Sequence, residues 1–279
     1  MDATLKRVNS GAEPENYGSE CQFPNSVERK AGNVPPKNAS WIPDQHGAWA
    51  MLTVPFLAGT FLSPHPGPRH AALLAAWLLG YAAVFHAQQW LRLRKVAARR
   101  PAVARRHVRP ALVLGAASAL AGIPLVVLHP WLLLAGAAAA PFLAVNTRYA
   151  SRNRERALVN GLAAVVPACG MLLVAARLGG GGLPWAPAAA CLLYFGGTVP
   201  YVKTMIRERG SRTHLCGSVA WHAAAVPLAA LLSPWLAIPF AAYLARAVAL
   251  PGRGVRVPVV GAIELAASAG LLTALLLVF

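Results

Sequence analysis

Nine long apolar stretches separate short polar connections between residue 46 and the C-terminus, and this feature constrains the fold most. Each stretch approaches the roughly 20 residues that an α-helix needs to cross the hydrocarbon core of a bilayer. The stretches, called segments 1 to 9 in chain order, lie at residues 46–64, 70–91, 110–128, 130–147, 157–177, 183–202, 215–232, 234–250 and 257–279. Helices satisfy their backbone polar groups internally, as a bilayer requires. The sequence therefore predicts an all-α membrane protein with about nine transmembrane helices.

The first 43 residues differ from the rest. Hydrophobic residues make up 57% of the 279-residue chain and charged residues 13%, an imbalance that a soluble core does not need. The first 43 residues, in contrast, are rich in Gly, Pro, Asn, Ser and Glu and hold no apolar run suited to a signal peptide. We expect residues 1–43 to form a polar, disordered cytoplasmic tail and residues 44–279 to form the transmembrane helical domain.

Basic residues are concentrated in every second connection between the segments. The connections after segments 2, 4, 6 and 8, counting Arg246 in segment 8, carry 19 Lys and Arg residues, whereas the others carry only Arg69 and Arg177. By the positive-inside rule, this asymmetry predicts a multi-pass protein of the cell (plasma) membrane with a cytoplasmic N-terminus and an external C-terminus. The net charge of +17 also suits anionic lipid or substrate. Nucleic acid is not expected as a partner, since the bases do not lie on a soluble fold.

The four cysteines are scattered without a CxxC pair. We infer neither a disulfide nor a metal site from them, and no cofactor is expected.

Polar side chains precede segment 1. Asp44, Gln45 and His46 stand there, with Gly47 allowing close approach of the backbone. They fit either a substrate-binding site or a helix cap with an interfacial anchor at Trp49, and the sequence leaves both open.

The ends of segments 2 and 6 are the main candidates for a site. At the end of segment 2, His86 and Gln89 share one helical face and Arg92 lies beside them, and polar side chains at membrane depth usually face a bundle interior or cavity. Segment 6 ends in a cluster of bases around one acid that is suited to an anion, with the Glu orienting an Arg. The cluster comprises Lys203, Thr204, Arg207, Glu208 and Arg209.

Continued helix would align Lys203 with Arg207 and Thr204 with Glu208. A plain basic helix end is the alternative for this cluster. Asn146, at the end of segment 4, is expected to contribute to the same cytoplasmic pocket, although topology explains its basic neighbours. The sequence predicts one anion site shared by the ends of segments 2 and 6.

Within the spans, His222 and Glu264 are expected to make interhelical hydrogen bonds.

Two stretches of sequence carry a family resemblance. Asp44-Gln-His-Gly-Ala-Trp-Ala-Met-Leu-Thr-Val-Pro-Phe-Leu-Ala-Gly and Tyr194-Phe-Gly-Gly-Thr-Val-Pro-Tyr-Val-Lys-Thr-Met-Ile-Arg-Glu-Arg-Gly resemble the signature stretches of the YwiC-like family of bacterial membrane proteins. With the helix pattern, this resemblance spans residues 44–279.

More distantly, nine helices with polar ends at segments 2 and 6 resemble the UbiA superfamily of intramembrane prenyltransferases, which implies a UbiA-like bundle. Those enzymes hold magnesium diphosphate with aspartate-rich motifs at these two places. This chain has no Asp there, and its residues cannot bind magnesium as carboxylates do. The residues are His86, Gln88, Gln89, Arg92, Lys203, Arg207, Glu208 and Arg209.

Three kinds of function remain open. The first is a UbiA-like enzyme or derived protein that binds or modifies an anionic lipid, such as an isoprenoid phosphate or a phospholipid, without magnesium. The second is a small-solute transporter, although inverted repeats and paired half-helices are not evident. The third is a non-catalytic membrane partner of another enzyme.

Overall fold

The described part of the chain folds into helices joined by short connections. The structure, a computed structural model, describes residues 40–43, 46–97 and 101–279. The helices are α1 (His46–Phe61), α2 (Pro68–Val96), α3 (Pro101–Arg105), α4 (Val108–Leu128), α5 (Leu132–Ser151), α6 (Leu158–Leu178), α7 (Trp185–Ile206), α8 (Arg212–Leu232), α9 (Ala237–Ala249) and α10 (Val257–Val278), with a 3₁₀ turn at Pro234–Leu236. Over these residues nine helices have 13 residues or more and no strand occurs, which confirms the all-α fold.

Short connections make consecutive long helices antiparallel. Glycines with positive φ occur in these turns, including Gly180 between α6 and α7 and Gly210 between α7 and α8. The C-terminal ends of α2, α5, α7 and α9 therefore share one side with the N-terminal ends of α4, α6, α8 and α10. We call this side the basic end, because it carries nearly all the Lys and Arg residues of the helical part.

The helices pack around an apolar core. Helix α1 packs mainly on α6 and α10, α2 on α4, and α7 on α6 and α8, while α8 also packs on α9. Close approach of α1 to α6 requires Gly59, since a Cβ there would collide with the backbone of Leu172. The largest core cluster includes Leu172, Cys191, Tyr194 and Leu271, which are at most 2% exposed.

The outer surface is apolar. Five described stretches are long and apolar enough to cross a membrane, namely Pro68–Val96, Pro101–Leu128, Leu158–Leu178, Arg212–Leu232 and Val257–Val278. Gly47–Phe61 and Pro234–Ala249 are shorter apolar helices. Large apolar side chains also point outwards, with Leu120, Leu231 and Leu277 about 80% exposed. This surface suits hydrocarbon, and the chain is a helical membrane protein.

Helix boundaries differ from the sequence pattern at two places. Helix α5 continues to Ser151, so Asn146 is helical. Helix α7 ends at Ile206, and Glu208 and Arg209 lie beyond it, before Gly210 turns the chain. The helix does not continue to Glu208, so the condition for aligning Thr204 with Glu208 on one helix face is not met. Arg246, which the sequence pattern places in segment 8, lies in the last turn of α9.

Candidate functional site

The polar side chains predicted before segment 1 cannot be placed, because they lie outside the part of the chain that the structure describes. Asp44 and Gln45 lie outside the described residues, as do the side chain of His46 and the expected tail through residue 39.

At the end of α2, His86 is fully buried and bonded on both ring nitrogens. Its Nε2 lies 3.2 Å from the carbonyl oxygen of Trp41, and its Nδ1 lies 2.9 Å from Nδ1 of His107. Because the carbonyl only accepts, Nε2 of His86 donates to it, and a second hydrogen bond joins the Nδ1 atoms of the two rings. His86 therefore connects α2 to the start of α4 and to the segment before α1.

Gln89 and Arg92 instead reach the connection between α5 and α6. The Gln89 amide donates to both carboxylate oxygens of Glu155 at 3.4 Å, and Nη1 of Arg92 lies 3.3 Å from one of them. Arg92 Nε also donates to Asn153 at 2.7 Å. Glu155 thus offsets the charge of Arg92.

Some side chains of the cluster at the end of α7 make hydrogen bonds to the backbone of the protein. The Thr204 hydroxyl donates to the Tyr201 carbonyl at 2.7 Å, and the Arg209 guanidinium donates to the carbonyls of Met205 and Val255. Glu208 lies 3.9 Å from Nδ1 of His214, and the structure places it within 4 Å of no other described base. Glu208 therefore does not orient Arg207 or Arg209 as expected.

Arg207 is one of the bases of this end that no described acid neutralises. It is exposed and has no carboxylate within 4 Å among the described residues. Partial burial, and then the positive charge of Arg156, lower the pKa of the Arg207 guanidinium. Arg156 belongs to the same short connection as Glu155, which contacts Arg92 of α2. Lys203 lies one turn before Arg207.

A groove runs along one face of α5 at the same end. Its volume is about 570 Å³, and its apolar lining ends in the polar side chains of Thr147, Arg148 and Ser151. Gln88 of α2 donates to Thr147 at 3.2 Å, so α2 borders this end of the groove. On the same helix, Asn146 has a buried side-chain oxygen without a hydrogen-bond partner.

A second polar cluster, which the sequence did not identify as a site, lies inside the bundle. Arg246 of α9 and Glu264 of α10 form an ion pair, with their side chains 8% and 9% exposed. The rings of Tyr194, Tyr201 and Tyr243 surround the guanidinium at 5.8, 4.4 and 5.5 Å. This Arg does not extend to the membrane interface as a base near a helix end can.

Helices α7 and α8 contribute further polar groups to this cluster. Tyr194 lies 3.1 Å from the Ser268 hydroxyl, and Thr198 lies beside the Glu264 carboxylate. His222 of α8 donates from Nδ1 to the carbonyl of Ser218 at 2.8 Å, and its ring faces Tyr201 at 6.2 Å. Both His222 and Glu264 are buried between helices. Glu264 makes its expected interhelical hydrogen bond, with Arg246, whereas the His222 bond stays within α8.

Neither cluster suits a divalent metal. The described residues contain no group of three His, Cys, Asp or Glu side chains close enough to hold one. Glu155 and Glu208, the acids at the basic end, already contact Arg92 and His214. This donor set does not fit the carboxylate-bound magnesium of the UbiA-type enzymes.

Comparisons with known proteins agree on one family. A family model described as YwiC-like protein matches residues 42–176. The YwiC protein of Bacillus subtilis (strain 168) is 30% identical over 228 residues, which cover 80% of this chain and 92% of that protein. An uncharacterized protein of Haemophilus influenzae is 29% identical over 233 residues, covering 82% and 94%. No solved structure matches the chain. The chain belongs to the YwiC-like family of membrane proteins.

Proposed function

We propose that this protein binds the phosphate-bearing head group of a membrane lipid at its basic end, directly through guanidinium and ammonium groups. Arg207 and Arg156 are the principal donors, and Lys203 lies one turn away on α7. A phospholipid and an isoprenoid phosphate share this head-group chemistry. The site corresponds to the end of α7 and the α5–α6 connection, with α2 on the other side of that connection.

The observation that carries the proposal is the electrostatic repulsion between two bases, since the positive charge of Arg156 lowers the pKa of Arg207. Each guanidinium raises the energy of the other, and neither has a carboxylate within 4 Å among the described residues. An anion between them relieves this repulsion, and guanidinium groups bind phosphate oxygens with paired hydrogen bonds. Glu155 does not serve this purpose, because it already contacts Arg92.

The groove on α5 supports a lipid over a soluble phosphate. Half of its six lining residues are alanine or leucine, and Arg148 lies at the basic end of the groove. An acyl or isoprenoid chain along this face would keep its hydrocarbon in apolar surroundings while the head group stays at the basic end.

Direct binding of the phosphate by Arg and Lys side chains also determines whether the site requires a metal ion. In a site built from carboxylates, magnesium bridges protein and phosphate, so binding requires the ion. Here the free charges at the basic end are positive, and a phosphate needs no bridge. We therefore propose binding that does not depend on divalent metal.

The test is lipid binding to the purified full-length protein, measured by native mass spectrometry in detergent. Dioleoyl phosphatidic acid, with an exposed phosphate, is compared with dioleoyl phosphatidylcholine at equal concentration, each with chelator and then with magnesium. We expect phosphatidic acid to bind more tightly and equally well in chelator. Equal binding of the two lipids, or binding that requires magnesium, contradicts the proposal.

A further inference from the structure

The cluster around Arg246 contains an unusual number of buried polar atoms without a hydrogen-bond partner. They are Nε and Nη2 of Arg246, Oε2 of Glu264 and the Tyr201 hydroxyl, together with Nε2 of His222 and the hydroxyls of Thr198 and Ser218. Four helices, α7 to α10, bring these atoms together. Each such group costs on the order of 1–3 kcal/mol when it stays unpaired, so this combination indicates a ligand.

The free atoms of Arg246 are the two that form one edge of its guanidinium. Glu264 contacts Nη1, whereas Nε–H and the Nη2–H that lies alongside it stay unpaired. This edge donates two parallel hydrogen bonds, the geometry that binds a carboxylate with both oxygens. The fixed tyrosine rings around Arg246 hold the guanidinium in place, which prepares the edge for a ligand.

The acceptors of the cluster suit a donor from the same ligand, which would join the Thr198 hydroxyl that already lies beside the Glu264 carboxylate. Oε2 of Glu264 only accepts when the carboxylate is ionised, as its ion pair with Arg246 indicates. Nε2 of His222 also accepts, because Nδ1 carries the proton that bonds Ser218. A ligand that matches the cluster therefore presents an oxygen pair and an N–H or O–H donor together.

Charge balance restricts the ligand further. Arg246 and Glu264 neutralise one another. A ligand with net charge would leave an uncompensated charge inside the apolar bundle, which is costly. A ligand with one carboxylate and one ammonium group adds no net charge and offers charged partners to both halves of the ion pair.

We propose that Arg246, Glu264, Tyr201 and His222 form an intramembrane binding site for a small zwitterionic solute of the amino-acid class. The carboxylate of the solute binds the free edge of Arg246, and its ammonium group binds Oε2 of Glu264. Tyr201 lies five residues before the end of α7, so the site lies about 7 Å below the basic end by helix rise. This site is separate from the head-group site and does not depend on it.

The experiment is saturable binding of the common zwitterionic amino acids to the purified full-length protein, followed by scintillation proximity. Acetate and acetamide serve as competitors that carry only one half of the proposed chemistry. We expect at least one amino acid to bind with a Kd below about 10 mM, and both competitors to displace it poorly. Arg246→Lys retains the charge but loses the two-donor edge, so it should weaken binding at least about tenfold.

Two further variants make the result decisive. Arg253→Lys makes the same substitution in the exposed connection after α9 and should bind like the wild type. If Arg246→Lys does not fold, Tyr201→Phe removes only a hydroxyl and should weaken binding about 2–10-fold. Absence of saturable binding by every amino acid would show that the cluster holds water only and would overturn the proposal. Equal binding by the folded Arg246→Lys protein, or by Tyr201→Phe where that variant replaces it, would do the same.

Discussion

Arg246 Nη1 lies 2.5 Å from Oε1 of Glu264, and this contact joins α9 to α10 inside the bundle. Both side chains are less than a tenth exposed. Removing either partner leaves the other as an unpaired charge in an apolar environment, which costs more than losing both together. The pair is therefore a sensitive point for stability as well as part of the proposed solute site.

Glu264→Ala is expected to lower the free energy of unfolding by about 3–5 kcal/mol, because Arg246 would remain buried without its partner. Chemical unfolding in detergent measures this change. The double variant Arg246→Met/Glu264→Met removes both charges and should recover most of the loss.

Thr273→Ala on the same helix is the control, since Thr273 is exposed and bonds only within α10. A loss no greater for Glu264→Ala than for Thr273→Ala would show that the ion pair contributes little.

Gly59→Ala tests the packing of α1 on α6. An added Cβ would collide with the backbone of Leu172, which cannot move aside as a flexible side chain would. We expect a loss of about 1–3 kcal/mol in the free energy of unfolding. The matched control is Gly136→Ala on α5, where nothing lies within 4 Å and the substitution should be neutral or stabilising. Similar effects of the two changes would rule out the close α1–α6 contact.

Removing residues 1–40 should leave a folded, membrane-inserted protein. These residues are too polar to bury the apolar surface that would offset the entropy of ordering them. The truncation retains Trp41, whose carbonyl accepts from His86. Insertion and thermal unfolding of the truncated protein are the measurements, and a marked loss of either would indicate that the removed segment docks on the bundle.

The predicted orientation has a cytoplasmic N-terminus, an odd number of crossings and an external C-terminus. A C-terminal alkaline phosphatase fusion should be active, and a green fluorescent fusion at the same place should be dark. Fusions after residue 253, before α10, should give the opposite pair of signals. An inactive phosphatase with a fluorescent partner at the C-terminus would require an even number of crossings.

The helices could be predicted from the sequence because bilayer thickness sets the length of an apolar span directly. The partner of Arg246 could not, since the spacing of residues along the chain does not show which faces of α9 and α10 meet. One signal was available: Glu264 is the only acid inside an apolar span, and Arg246 is the base that interrupts the span before it. Opposite charges in neighbouring spans favour pairing.

The contacts within the candidate site at the basic end were harder to predict from the sequence than the helices were. The polar stripe on α2 predicted a cavity, but His86 bonds His107 and Gln89 bonds Glu155. These partners lie 21 and 66 residues away, and such contacts depend on how the connections fold. Arg207 also proves exposed, so its contact with a phosphate should weaken with salt as exposed charges do.

Affinity for a lipid phosphate in the Arg207→Ala protein tests the account most directly. The measurement is dioleoyl phosphatidic acid binding in chelator at fixed salt, with Arg105→Ala as the matched control, because Arg105 is an exposed base at the end of α3. We expect Arg207→Ala to weaken binding by on the order of 1.5–3 kcal/mol, the range for hydrogen bonds to charged groups, while Arg105→Ala has little effect. Equal affinities for the two variants would contradict the assignment of the head-group site to Arg207 and Arg156.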